Sequence, residues 1–477
     1  MSLTRNNSSV STQKALTPAA NITQWLLHKF ARVCVLFCLC VSVAHGASDF
    51  ANSVSVIATV TSATSAINQS QKDSNATMND ATSDTINAAS DNTINKTINN
   101  TMIVQKQRHQ IETFTTFTGK TIKQLQVGWE SYGTLNDDKS NVILITHYFT
   151  GNSHAAGKYK ESDAEPGYWD SIIGPGKAID TNQFFVISVD SLVNISAYDE
   201  NVITTGPASI NPDTGEPYGL SFPVVTMRDF VNVQKSVLES LGITKLYAVA
   251  GPSMGSMQAI EWASAYPDWV ERLISVIGSG AADAWTTTYL EQWTVPITLD
   301  PKFNQGNYYH KPKSEWPMLG LTHAIALITQ SALHPEFFRN IGAQIGYKVL
   351  EEDVLSDIAA KPSMVNWLMG RAGERAALMD ANHLLYLVRA NQLFVTGMQG
   401  TLEEGLANIQ AKVLLLPART DLLLMPYHAE LIAQGLAKHN NAAELHYLNG
   451  SLGHLEGVAG IAAHAETIRA FLADDKN

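Results

Sequence analysis

Leu246-Tyr247-Ala248-Val249-Ala250-Gly251-Pro252-Ser253-Met254-Gly255-Ser256-Met257-Gln258 is the stretch on which the reading of this chain turns. Leu246 to Ala250 is a short apolar run without polar alternation, as expected of a strand buried on both faces. A helical stretch from Met257 to Tyr266 follows and ends at Pro267. Between them lies G-x-S-x-G, which in a strand-turn-helix setting holds its serine in a strained turn with the hydroxyl presented at the end of a sheet. The Met254 amide then falls at a helix N-terminus, where an N–H can stabilise an oxyanion.

A serine hydroxyl is a weak nucleophile until a base takes its proton, so a histidine and an orienting carboxylate are required downstream. Val413 to Leu416 reads as another buried strand, and Pro417-Ala418-Arg419-Thr420-Asp421 follows it. Asp421 therefore stands in a loop at a strand's C-terminal end, where the functional groups of open α/β sheets collect. Of the five histidines beyond it, His428 lies near a helix start, His439 in a polar loop, His446 in a strand-like segment and His464 in the terminal helix. His454 follows Gly450-Ser451-Leu452-Gly453 after the strand-like Glu444 to Leu448 and is free to project over the sheet edge, which makes it the expected base. His147 and His154 lack a nearby carboxylate and third ligand, so no metal is expected, nor any cofactor.

Outward from this centre, Asn141 to Thr146 and Phe184 to Val189 read as further buried strands alternating with helical stretches, the pattern of a mostly parallel sheet flanked by helices. Residues 281–400 are mainly of helical period, as in Leu321 to Leu333 and His383 to Leu393, and read as a helical cap inserted into the sheet domain. The α/β core is expected over 107–280 and 401–477. Residues 47–106 are rich in Ser, Thr, Asn, Asp and Ala, too poor in large apolar groups to offset their ordering entropy, and read as a disordered linker.

The three cysteines, Cys34, Cys38 and Cys40, all fall in the apolar run Val33 to Ala44. That run is shorter than the roughly 18 residues a membrane span needs, but it fits a secretory signal. Lys29 and Arg32 precede it and Ala44-His45-Gly46 follows, so residues 1–46 are expected to be a signal peptide cleaved after Gly46, giving a periplasmic or secreted protein not inserted in the membrane. Loss of Arg5, Lys14, Lys29 and Arg32, with no acid lost, takes the net charge from −12 to −16. A chain of 477 residues, 45% hydrophobic and 16% charged, is neither wholly disordered nor a disulfide scaffold, and its acid excess argues against nucleic-acid partners.

The wider sequence resembles the homoserine O-acetyltransferase family of α/β-hydrolases from about Trp129 to Ala470. The resemblance is carried by Trp129-Glu130-Ser131-Tyr132-Gly133, His147-Tyr148-Phe149-Thr150-Gly151, Tyr168-Trp169-Asp170, Ile173-Gly174-Pro175-Gly176, Asn211-Pro212 with Thr214-Gly215, and Ser253 to Gln258. It implies Ser253, Asp421 and His454 as a catalytic triad and the backbone amides of Phe149 and Met254 as the oxyanion hole. It also exposes departures. Where homoserine-binding members carry a carboxylate-gripping arginine, Gly320-Leu321-Thr322-His323-Ala324-Ile325 places Ile325; where they carry an ammonium-binding aspartate after the histidine, Leu455 stands, with Glu456 a step further on. Their Gly-Gly segment is altered to Val193-Asn194, with an insertion running to Thr204-Thr205-Gly206-Pro207.

Loss of both charged contacts should disable homoserine recognition. Acetyl-CoA is moreover a cytoplasmic metabolite that an exported enzyme would not meet. The expected activity is acyl transfer through an acyl-serine to water or to a non-homoserine acceptor, with a small-molecule acyl donor and acceptor as partners and a homodimer as the assembly. The alternative is the family's usual reaction, with Arg371 or Arg375 supplying the missing carboxylate contact. A reading of another class is a binding protein that keeps the fold without turnover.

Overall fold

The computed structural model describes residues 102–398 and 400–473. The signal peptide, the three cysteines and the linker expected before residue 102 lie outside the described residues.

Among the described residues ten strands are formed: β1 (Gln107–Thr115), β2 (Thr121–Tyr132), β3 (Val142–Ile145), β4 (Ile173–Gly174), β5 (Ile179–Asp180), β6 (Phe185–Val189), β7 (Ala248–Pro252), β8 (Arg272–Val276), β9 (Lys412–Leu416) and β10 (Glu444–Leu445). Eight make one sheet in the order β1-β2-β6-β3-β7-β8-β9-β10, and β4 with β5 form a small parallel pair. β1 pairs antiparallel with β2, and β2 with β6; from β6 onward every pairing is parallel. This is the α/β-hydrolase fold anticipated from the sequence.

The all-apolar strands exist because the sheet is covered on both faces. Val142 and Leu144 of β3 enter one apolar cluster, and Ile143 and Ile145 the other; Val413 and Leu415 of β9 divide in the same way from Leu414 and Leu416. Successive side chains of a strand point to opposite faces, so a run without polar alternation survives only between two layers. Burying each such side chain fully contributes about 1.5–3 kcal/mol.

Between β8 and β9 the chain is helical, its longer helices being Ala284–Glu291, Met318–Ala332, Pro335–Gln344, Ser363–Ala376 and Ala381–Gln392. Two expectations need correcting. The folded body begins before residue 107: Met102 and Val104 exchange backbone hydrogen bonds with Lys158, and the part-buried Lys106 ammonium pairs with Glu130 at 2.8 Å and Asp190 at 3.4 Å. The strand expected over Glu444 to Leu448 is shorter, with β10 ending at Leu445 and a single bridge at Leu448, so His446 lies just outside it. His446 is half exposed and faces Glu444 at 3.7 Å.

Candidate active site

β7 runs directly into the helix Met254–Ala265, and Ser253 is the hinge between them, at φ 58° and ψ −121°. A left-handed φ is uncommon for a residue with a Cβ and marks local strain. The neighbours explain why the turn takes only glycine beside it. A Cβ on Gly251 would stand 2.2 Å from Thr146 Oγ1 and 2.5 Å from the Thr146 carbonyl, and one on Gly255 would stand 2.1 Å from that same carbonyl. β3 and β7 are hydrogen-bonded neighbours, so the chain leaving β3 at Thr146 passes against the elbow. Thr146 Oγ1 donates to the Gly255 carbonyl at 2.7 Å and ties the two together.

The side chains expected to cooperate converge. His454 Nε2 lies 2.7 Å from Ser253 Oγ, and His454 Nδ1 lies 2.6 Å from Asp421 Oδ2. Asp421 is fixed from its other oxygen, Oδ1 accepting from the Leu423 amide at 2.8 Å and the Leu424 amide at 3.0 Å. All three side chains are almost fully buried. An aspartate held by its own following amides and aimed at Nδ1 fixes the imidazole tautomer that leaves Nε2 free to take a proton. The two leucine amides were missed from the sequence, although an aspartate bonding the backbone two residues on is a recognisable turn signal.

Ser253 and His454 open onto a cavity of about 330 Å³ whose walls are mainly apolar, with Phe149, Met257, Trp293, Ile328 and Leu424 among them. The amides of Phe149, in the loop after β3, and Met254, the first residue of the elbow helix, both belong to residues on this cavity, and among the described residues neither has an acceptor. They are available for the oxygen of a bound carbonyl.

The two positions expected from the sequence to alter the acceptor site fall differently. Leu455 is on the cavity wall. Ile325 is fully buried within the helix Met318–Ala332 and is not among the lining residues. Glu456 turns away, its carboxylate accepting from the Leu452 amide at 2.7 Å, and burial raises its pKa. Of the two arginines considered as substitutes, Arg371 pairs with Glu374 at 2.8 Å on the surface, whereas Arg375 lines the cavity. Its Nη2 donates to Thr150 Oγ1 at 3.0 Å and its Nη1 to Thr329 Oγ1 at 3.1 Å.

Three other histidines have structural partners. His147 is buried, which lowers its pKa; Nδ1 lies 2.8 Å from the Tyr148 carbonyl and Nε2 accepts from the Ser191 amide at 3.0 Å. His154 pairs with Glu130 at 2.9 Å. His428 faces Ser279 and Thr286. The segment Val193-Asn194, expected to be an alteration, has a structural part as well. Val193 sits at φ 49°, a conformation natural to glycine, and Asn194 Nδ2 donates to the Gly151 carbonyl at 3.0 Å, bracing the loop that carries Phe149.

Known proteins resemble this one along most of the described body. A profile of the alpha/beta hydrolase fold matches residues 166–450. The homoserine O-acetyltransferase of Methanococcoides burtonii is 37% identical over 358 residues, spanning 74% of this chain and 70% of the relative. That of Geobacter sulfurreducens is 35% identical over 376 residues, spanning 78% and 98%. Among solved structures, the crystal structure of esterase E22 is 65% identical, with a TM-score of 0.76, covering 78% of this chain and all (100%) of the other. The homoserine O-acetyltransferase from Bacillus anthracis is 37% identical with a TM-score of 0.75, covering 79% and 99%. With this fold and these relatives, the chain belongs to the homoserine O-acetyltransferase-like family of α/β-hydrolase-fold acyl-transfer enzymes.

Proposed function

We propose that this protein is an exported serine esterase or acyltransferase that works through an acyl-serine and passes the acyl group to water or to an alcohol other than homoserine. The observation that carries the reading is the unbroken hydrogen-bonded row Ser253, His454, Asp421 at the wall of an apolar cavity. Ser253 Oγ attacks the ester carbonyl carbon while His454 Nε2 takes its proton. The carbonyl oxygen, now negative, is held by the Phe149 and Met254 amides. On collapse the alcohol leaves with the proton from His454, and an acyl-serine remains. A water or acceptor hydroxyl then gives its proton to His454 as it attacks the acyl carbon, and on collapse His454 returns the proton to the departing Ser253 Oγ.

The altered acceptor is supported by Leu455 on the cavity wall and by the absence of any aspartate or glutamate among the described lining residues to meet an ammonium. The name of the 65% identical neighbour, an esterase, points the same way.

The second reading, homoserine O-acetylation from acetyl-CoA, is favoured by the names of the relatives and by Arg375, a cation on the cavity wall placed to meet a carboxylate. Two measurements divide the readings. A fluorophosphonate probe should label the protein at Ser253, and an unmodified protein would instead be the non-catalytic binder. Acetyl transfer from acetyl-CoA to homoserine should be negligible beside ester hydrolysis; transfer at ordinary enzyme rates sinks the altered-acceptor proposal.

A further inference from the structure

The walls of the cavity at Ser253 are mainly apolar, with a few hydroxyl and amide side chains such as Thr286 and Asn391. Among its lining residues the ionisable side chains of high basicity or acidity reduce to Arg375, with His454 already committed to Ser253 and Asp421. Arg375 stands on the helix Ser363–Ala376 and is held by two threonines, Thr150 in the loop after β3 and Thr329 on the helix Met318–Ala332. Thr329 Oγ1 in turn donates to the Ile325 carbonyl at 2.7 Å, so the position it offers to Arg375 is itself fixed.

These partners orient the guanidinium without neutralising it. Among the described residues the titratable groups acting on it are Tyr148, whose own pKa burial raises, and Arg371; neither carries negative charge at neutral pH. Two other part-buried cations are paired with acids: Arg228 with Glu261 at 2.5 Å and Lys106 with Glu130 at 2.8 Å. An arginine presents five donors in a rigid fork suited to a carboxylate, and two hydrogen bonds to hydroxyls leave three N–H groups. A part-buried cation that is oriented but uncompensated is a binding element awaiting an anion.

We infer that Arg375 recognises a carboxylate carried by the substrate, and that the enzyme selects anionic esters lacking an ammonium group. The second half follows from the walls, where among the described residues no aspartate or glutamate stands to receive a positive charge. The inference rests on Ser253 being the nucleophile, because Ser253 and Arg375 line the same cavity and one substrate would meet both. Either half of the ester can carry the carboxylate: the acyl group, as in a half-ester of a dicarboxylic acid, or the alcohol, as in an acylated hydroxy acid.

The test compares each anionic ester with a neutral isostere on the full-length chain, using ethyl hydrogen glutarate against its amide, and acetoxybutyrate against acetoxybutyramide. For at least one pair, wild type should favour the acid in kcat/KM by roughly ten- to hundredfold, chiefly through KM. Which pair shows it identifies the half that carries the charge. In Arg375→Met that acid-to-amide ratio should collapse to about one, with Arg375→Lys between the two. A wild-type ratio of one or less in both pairs overturns the inference, as does a ratio that survives in Arg375→Met, which would leave Arg375 a tie between helices and loop. Calorimetry with Ser253→Ala separates this from the catalytic reading: that variant should still bind the acid more tightly than the amide. If wild type escapes fluorophosphonate labelling, the nucleophile assignment fails while the calorimetric preference still decides for or against Arg375.

Discussion

Replacing Ser253 by alanine removes the atom on which the proposed chemistry acts, and it does so in a residue already held at a left-handed φ by its surroundings. Ser253→Ala and His454→Ala should each lower kcat for ester hydrolysis by at least about ten-thousand-fold, and the double variant should fall little further, because the groups act as a unit. Additive losses in steady-state kinetics would mean that the two side chains do not share a proton. Asp421→Asn should cost about as much as either, since the amide offers an N–H where Nδ1 needs an acceptor. At this scale the sequence is most legible. The elbow is local, so its strand, turn and helix are read from consecutive residues. Asp421 and His454 are found by chain order. Arg375 could only be named beside Arg371, because nothing in the spacing tells which of two arginines a turn apart faces the cavity and which faces Glu374.

Strands and helices were legible where their burial is complete. Asn141 to Thr146 became β3, Phe184 to Val189 became β6 and Val413 to Leu416 became β9, each within a residue or two, because two-sided burial writes an uninterrupted apolar run. β10 was overestimated because strand-like composition continues past the two residues that find a partner on β9. The contacts of β2 were not legible at all. Glu130, Lys106, His154 and Asp190 come from four segments, and no single one reveals that the carboxylate of Glu130 is wholly buried. Burial alone would raise that carboxyl's pKa; the hydrogen bond from His154 and the charge of Lys106 outweigh it and hold it down at about 2. An acid whose pKa is depressed on folding contributes stability above its unfolded value near 4.5, and that contribution is lost as pH falls toward 2. The expected size is about 3 kcal/mol. Urea midpoints measured across that window should fall steeply for wild type and more shallowly for Glu130→Gln; parallel curves would show that Glu130 is not the group responsible.

Across the whole molecule, the helical segment between β8 and β9 presents unusual apolar surface, with Leu350 71%, Leu355 69% and Ile358 100% exposed. A concentration of large apolar side chains in water is characteristic of an interaction face. The proposed homodimer predicts that sedimentation gives twice the chain mass and that Leu355→Glu with Ile358→Glu shifts it to the single-chain mass with an unchanged far-ultraviolet spectrum. A monomeric wild type would dispose of that assembly. The proposed export makes its own prediction: N-terminal sequencing of protein recovered outside the cytoplasm should begin at Ala47, and a retained Met1 would contradict it. Among the described residues no helix is long and apolar enough to cross a membrane.

The close passage of Thr146 beside the elbow limits how this protein can be redesigned. A side chain at 251 would strike both the hydroxyl and the main-chain carbonyl of Thr146, and one at 255 the carbonyl; replacing residue 146 can remove the hydroxyl but never that carbonyl oxygen. In a combinatorial library randomised at all three sites and selected for ester turnover, position 146 should drift while 251 and 255 return glycine. The freedom to vary the nucleophile's surroundings therefore lies in the cavity walls.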